Sequence, residues 1–242
     1  MNKSRILLTF LVGSFCINVN AAVISVIDTP SLIGSPINTS TFSSPQGDKQ
    51  AYDSSGNIAL NDSVVVSNTI PNSFSSIHDK NFIVDGFYGN GSSWIDSLSG
   101  SGGGSWLKID LGASYLMDSL SFGRDRLGNF EDRDPGQFTI QTSLFDAVFA
   151  DGNIADDASE YTTIVDSSAL GFSGIISGND TILSSFTAVE ARFILMTFAN
   201  ANAAIDEVEI TGVAVPEPSI ISLFGAGILG LGFARRRKLR QS

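Results

Sequence analysis

An all-β fold, an antiparallel jelly roll or β-sandwich, is what this sequence predicts, and three observations predict it. Apolar residues recur with a period of two in several separate stretches. Turns rich in Gly, Ser and Asn separate those stretches. No amphipathic helix longer than a couple of turns is evident in the body of the chain. About 190 residues lie between an apolar segment near the N-terminus and another near the C-terminus, which suits one β domain of ordinary size.

Lys3 and Arg5 precede an apolar run over residues 6–17, and Val19-Asn20-Ala21 places small residues where a signal peptidase reads. Residues 1–21 are therefore predicted to be a signal peptide cleaved after Ala21. Cys16, the one cysteine of the chain, lies inside that segment behind Phe15, so no lipid anchor is expected. The mature chain then has neither disulfide nor thiolate chemistry, although its compartment permits disulfides.

The body, residues 22–212, opens with Val23-Ile24-Ser25-Val26-Ile27 and Val64-Val65-Val66, which read as strands. Thr29-Pro30, Ser35-Pro36 and Ser44-Pro45 punctuate the interval as turns. Residues 46–57 are polar and glycine-containing, and are expected to be flexible. Phe82-Ile83-Val84 leads into Asp85-Gly86 and a Gly/Asn/Ser loop that closes on Trp94-Ile95. The run S-L-S-G-S-G-G-G-S at 97–105 is too rich in glycine for regular structure. In Trp106-Leu107-Lys108-Ile109-Asp110-Leu111-Gly112 the alternation predicts a strand with one buried face, made of Leu107, Ile109 and Leu111. A second strand is expected over 116–124, then a charged loop to 136. Further strands are expected over 137–142, 161–165 and 191–198, with a brief helix near 156–160. Ala204-Ile205-Asp206-Glu207-Val208-Glu209-Ile210 closes the set, with Ile205, Val208 and Ile210 inward and Asp206 and Glu207 on opposite faces.

Charge narrows the function. Seven of the 14 Lys and Arg and 24 of the 25 Asp and Glu lie in the body, a net charge of −17 there. That balance opposes nucleic acid and anionic lipid as partners, because phosphate contacts need clustered cations. It leaves carboxylates available for calcium, though most are expected to be solvated surface. His78 is the only histidine, so a zinc site built on imidazoles is excluded, and it reads as a surface-loop residue. No G-x-S-x-G elbow and no phosphate-cradling glycine loop occurs. Carboxylate pairs are too numerous to single one out for glycan hydrolysis, and no enzyme signature is found. The loop at 123–134 concentrates Arg124, Arg126 and Arg133, whose forks suit sugar hydroxyls or carboxylates. Each also has an acid within two residues, which favours an internal ion-pair network. Trp94 and Trp106 read as core anchors rather than sugar platforms.

Residues 213–242 have three parts in order. Pro216, Glu217 and Pro218 form an extended turn, residues of about 219–234 form a short apolar span, and Arg235, Arg236, Arg237, Lys238 and Arg240 form a basic cluster. The span is near the short limit for a transmembrane helix, and the cluster belongs on the cytoplasmic side. This arrangement resembles the PEP-CTERM sorting signal of Gram-negative bacteria. The resemblance implies export across the inner membrane, temporary anchoring, and an exosortase that cuts near Pro-Glu-Pro to deliver the protein to the cell surface or extracellular matrix.

Val84-Asp85-Gly86 followed by Trp94, then 106–112, Phe138-Thr139-Ile140-Gln141-Thr142-Ser143, Ala191-Arg192-Phe193-Ile194 and 204–210 together resemble the discoidin domain. That family, also called coagulation factor 5/8 type C, belongs to the galactose-binding-like jelly rolls, and the resemblance spans residues 81–212. It implies a module that binds glycans or other surface ligands, with a structural calcium ion held by Asp85, Ser92 and Glu207. The gap between Asp85 and Trp94 is longer here than in the family. Read alone, Asp85 serves equally as a turn cap and Glu207 as a solvent-facing side chain. The sequence thus predicts an exported surface protein with a non-catalytic, polysaccharide-binding domain. The alternatives are a matrix component without a ligand site and a carboxylate-dependent glycan hydrolase or lyase.

Overall fold

A computed structural model describes residues 22–27, 37–38, 48–61, 63–68, 78–89, 91–96, 104–123, 133–149, 154, 157–176, 181–201 and 203–216. The predicted signal peptide 1–21, Arg124, Arg126 and the tail from 217 onward lie outside them. The strands are β1 (Val23–Ile27), β2 (Ile37–Asn38), β3 (Asp48–Ala51), β4 (Val65–Asn68), β5 (Phe87–Tyr88), β6 (Trp94–Ile95), β7 (Trp106–Gly123), β8 (Phe138–Ser143), β9 (Thr162–Asp166), β10 (Thr181–Phe198), β11 (Ala204–Ile205) and β12 (Glu207–Ala214). All strand pairings among them are antiparallel, as the alternating pattern predicts.

β7 and β10 organise the rest. They pair from Thr181 opposite Gly123 to Thr197 opposite Trp106, with register shifts between Ser185 and Val189 and between Ala191 and Phe193. Such irregularities bend a pair of strands and sharpen its twist. One half of the pair carries β12 on β7 and β1 on β10. The other half carries β4 on β7, then β8 on β10 with β9 outside it. Both halves send apolar side chains into one core. Leu107, Ile109, Ile140 and Ile194 come from one half, and Leu120, Ile182, Val208 and Ile210 from the other. Phe122 sits edge-on to Phe138 at 5.0 Å and to Phe198 at 5.7 Å between ring centres, joining the halves. Two small sheets, β2-β3-β5 and β6-β11, complete the described structure.

Three sequence expectations change. The strands expected at 106–112 and 116–124 are one continuous β7, and its first part is buried on both faces: Trp106 and Lys108 are as covered as Leu107 and Ile109. The cause is a second apolar cluster, in which Phe149, Ile154 and Tyr161 lie against Trp106, Phe193 and Leu195 on the outer face of the sheet. The expected flexible stretch at 46–57 instead holds β3, a buried Tyr52, and Asn57, whose side-chain oxygen accepts the N–H groups of Ala59 and Ile210 at 2.9 and 3.0 Å. The brief helix near 156–160 is a 3-10 turn at Asp157–Ser159.

Gly112 marks a tight passage. Its φ is +78°, and a Cβ there would lie 2.6 Å from the Cβ of Ser63. Asp110 fixes the turn by accepting the Gly112 N–H at 2.8 Å, while its two oxygens take a forked pair from Arg192 at 2.7 and 2.8 Å. Gly112→Ala is expected to lower stability in urea unfolding by about 1–3 kcal/mol, from the left-handed backbone and the clash together.

Candidate functional site

A 3-10 helix at Lys80–Val84, capped by the Asp79 carboxylate on the Asn81 N–H, delivers Asp85 to the head of a loop. Gly86 and Gly89 take positive φ values of 82° and 126°, conformations that let the loop fold back on itself. Asp85 Oδ1 accepts the Phe87 N–H at 3.1 Å, and its Oδ2 accepts the Ser92 hydroxyl in a short hydrogen bond. The Ser92 N–H closes the turn on the Gly89 carbonyl at 2.9 Å.

Glu207, the first residue of β12, meets this loop from the far end of the sequence. Both its oxygens accept the Gly86 N–H at 3.3 Å, and Oε1 also accepts the Tyr52 hydroxyl at 3.1 Å. Its neighbour Asp206 accepts the Gly89 N–H at 2.9 Å, and Tyr88 donates to Glu209 at 2.6 Å. Asp206 and Glu207 therefore converge on one loop, against the expectation that they face apart. The reason is that Asp206 lies between β11 and β12, where regular alternation is broken, and backbone N–H groups draw both carboxylates inward. Glu207 is fully buried rather than solvent-facing. Burial, and then the charge of Asp85, push its pKa well above the ordinary carboxylate range, against the opposing pull of the Tyr52 and Gly86 hydrogen bonds. Burial first, then the charge of Glu207 (for Tyr52) or Glu209 (for Tyr88), raises the phenols of Tyr52 and Tyr88.

His78 is interior, not a surface-loop residue. It is 4 % exposed, and its Nδ1 lies 2.8 Å from the hydroxyl of Ser93, itself 1 % exposed. Burial and then the Arg133 charge pull the imidazole down to about 4. Arg133 is half-buried beside it, and its carbonyl accepts the Ala204 N–H at 3.1 Å. Arg124 and Arg126 lie outside the described residues. Trp94 is a core residue, 6.3 Å from Phe198 between ring centres, while Trp106 belongs to the outer cluster.

Of the functional sequence elements, Asp85, Ser92 and Glu207 come together. Tyr52 was not legible as their partner, because it lies 155 residues from Glu207 in a polar stretch without a motif. At the C-terminal end of the described chain, β12 runs to Ala214, the Val215 N–H still donates to the Ser114 carbonyl at 2.9 Å, and Pro216 is exposed. Glu217, Pro218, Arg235, Arg236 and Arg237 lie outside the described residues, as does Ala21. Among the described residues no helix is long and apolar enough to cross a membrane.

Residues 214–238 match the PEP-CTERM protein-sorting motif. This chain carries a PEP-CTERM sorting signal. The PEP-CTERM motif thus begins on the last residue of β12, and it indicates export and sorting to the surface. No curated protein matches the chain. Among solved structures it is similar to the family 32 CBM of NanJ from C. perfringens in complex with galactose, at 14 % identity over 64 % of this chain and 97 % of that one, TM-score 0.47. It is also similar to the C-terminal domain of a chitobiase from Bacteroides fragilis, at 13 % identity over 64 % and 97 %, TM-score 0.46. A third is chitosan-binding module 1 of a chitosanase/glucanase from Paenibacillus, at 15 % identity over 64 % and 98 %, TM-score 0.44.

Proposed function

We propose that this is an exported, non-catalytic module that binds glycan at the cell surface, with calcium holding its ligand-bearing end in shape. One observation carries the reading. Two pieces of the discoidin-like pattern, the Asp85-Gly86 loop and Glu207, are 121 residues apart and meet in a hydrogen bond. The donor set fits calcium. Asp85, Ser92 and Glu207 offer only hard oxygens, and a divalent ion would offset the repulsion between the buried Glu207 carboxylate and Asp85. Bound there, the ion would neutralise Glu207 against Asp85. The chain's own contribution is to pin the loop through Gly86 and Gly89 to Glu207 and Asp206, and so to fix the ends of β5 and β12.

The sorting motif completes the reading. An exosortase of a Gram-negative bacterium cuts near Pro216-Glu217-Pro218, just beyond the Val215–Ser114 hydrogen bond, and so leaves the sheet whole. The module then acts free of its membrane span, on a polysaccharide of the surface or matrix.

The test is binding of the mature protein to a panel of immobilised polysaccharides, with calcium and with a chelator. Binding that weakens at least about tenfold on chelation is expected, since ordering a loop before binding removes a cost from the encounter. No binding to any polysaccharide in either condition would leave a structural matrix component. Turnover of a polysaccharide, lost in a carboxylate variant, would replace the reading with an enzyme.

A further inference from the structure

A lysine buried on a sheet face needs a reason, and Lys108 is fully buried in the outer cluster. Its Nζ lies 3.1 Å from Asp146 Oδ2 and 3.2 Å from Asp157 Oδ2, and the Lys108 and Asp146 side chains are both without solvent exposure. The Tyr161 hydroxyl donates to the same Asp146 oxygen at 2.8 Å. Glu160 completes a group of three carboxylates, and its other tie is to the Ala147 N–H at 3.1 Å. Aromatic walls surround the ammonium, with the rings of Phe149 and Trp106 centred 5.4 and 5.9 Å away. The cation that these carboxylates surround is therefore the lysine itself.

We propose that Lys108 and Asp146 join in an intramolecular isopeptide bond, formed without any other enzyme and with Asp157 as the proton carrier. Proton transfer within the ion pair gives an amine and a carboxylic acid. Nζ then attacks Cγ of Asp146, and the new C–N bond forms while the Tyr161 hydroxyl, which donates to Oδ2, holds that oxygen in place as the leaving hydroxyl. Asp157 takes a proton from Nζ and hands it to the departing hydroxyl, which leaves as water. One ammonium and one carboxylate become one amide and one water. No electron is exchanged and no co-reactant is consumed.

Burial favours the product. Two charges withdrawn from water are costly to keep, whereas a neutral amide among aromatic rings is not, and the released water leaves for bulk solvent. The topology gives the bond a purpose. Lys108 on β7 pairs with Leu195 of β10, and Leu195 pairs with Gln141 of β8, so a bond to Asp146 just beyond β8 straps three strands together. The chain's single cysteine, Cys16, lies in the signal segment, so no disulfide is available to staple the exported body.

Intact-mass measurement of the purified full chain under denaturing conditions reads the bond directly. The expected mass is short of the sequence by one water. A tryptic digest should yield a branched peptide joining Lys108 to Asp146, with no cleavage after Lys108. Asp146→Ala and Lys108→Met should carry full mass and melt roughly 10 °C lower, as for loss of a covalent cross-link. Asp157→Asn should link roughly a hundredfold more slowly. A wild-type chain of full mass after prolonged incubation would overturn the proposal. So would a branch from Lys108 to Asp157 or Glu160. If the variants fail to fold, the wild-type mass and branch point still decide.

Discussion

Calcium added to the metal-free protein is expected to raise its melting temperature by roughly 5–10 °C, the shift for an ion at about a hundred times its dissociation constant. Glu207→Gln should abolish most of that rise while leaving the metal-free protein at least as stable as its parent. The substitution removes a carboxylate whose charged form burial and Asp85 disfavour, and it keeps an oxygen for Tyr52 and Gly86. The pH dependence separates this effect from a general salt effect. In the metal-free fold Glu207 holds its proton above the ordinary glutamate range, whereas the unfolded chain releases it. The folded state then binds more protons, so its stability falls as pH rises from that ordinary range up through the raised value. Calcium competes with that proton, and its stabilisation should grow with pH. His78 runs the other way. Held down to about 4, it stays neutral in the fold where the unfolded chain takes up a proton, so stability falls as pH drops from about 6.5 toward 4, with or without calcium. Melts at pH 5 and pH 8 test both. An equal calcium increment at the two values would remove Glu207 from the site.

The strands were legible because alternation is local. β1 and β8 lie within a residue of the stretches that predict them, the stretch at 204–210 divides at Asp206 into β11 and the start of β12, and Ile205, Val208 and Ile210 point inward as expected. What escaped was set by contacts across the sequence. Alternation in 106–112 assumes that one face meets water, but Phe149 and Tyr161 cover it, so Lys108 is buried with Trp106. The polarity of 46–57 hides that Asn57 reaches the Val208 carbonyl and the Ile210 N–H on β12. His78 looked like a loop residue because nothing near it in sequence announces Ser93 as its partner. Asp85, Ser92 and Glu207 could be named from a family pattern, but their convergence depends on β12 lying beside β7 and on the fold of a glycine loop, neither of which is local.

Phe122→Ala is expected to cost about 3–5 kcal/mol in urea unfolding, the range for deleting a fully buried aromatic ring. The expected fall in melting temperature is roughly 10 °C or more for a domain of this size. The position explains the size of the effect. Phe122 is paired in register with Ile182 of β10 and Val208 of β12, is fully buried, and packs edge-on against Phe138 and Phe198 from the opposite half of the bent sheet. Its removal leaves a void bounded by strands that the β7–β10 ladder holds apart, so collapse is limited and the cavity cost stands. Phe145→Ala supplies the contrast. That ring is 64 % exposed, and its loss should change stability by no more than about 0.5 kcal/mol. Phe122→Ala and Phe198→Ala combined should cost less than the sum of the two alone, because the second deletion enlarges a cavity already present. A strictly additive pair, or a Phe122→Ala loss below about 1 kcal/mol, would mean that the two halves of the sheet keep separate cores, contrary to the shared cluster that the bends in β7 and β10 create.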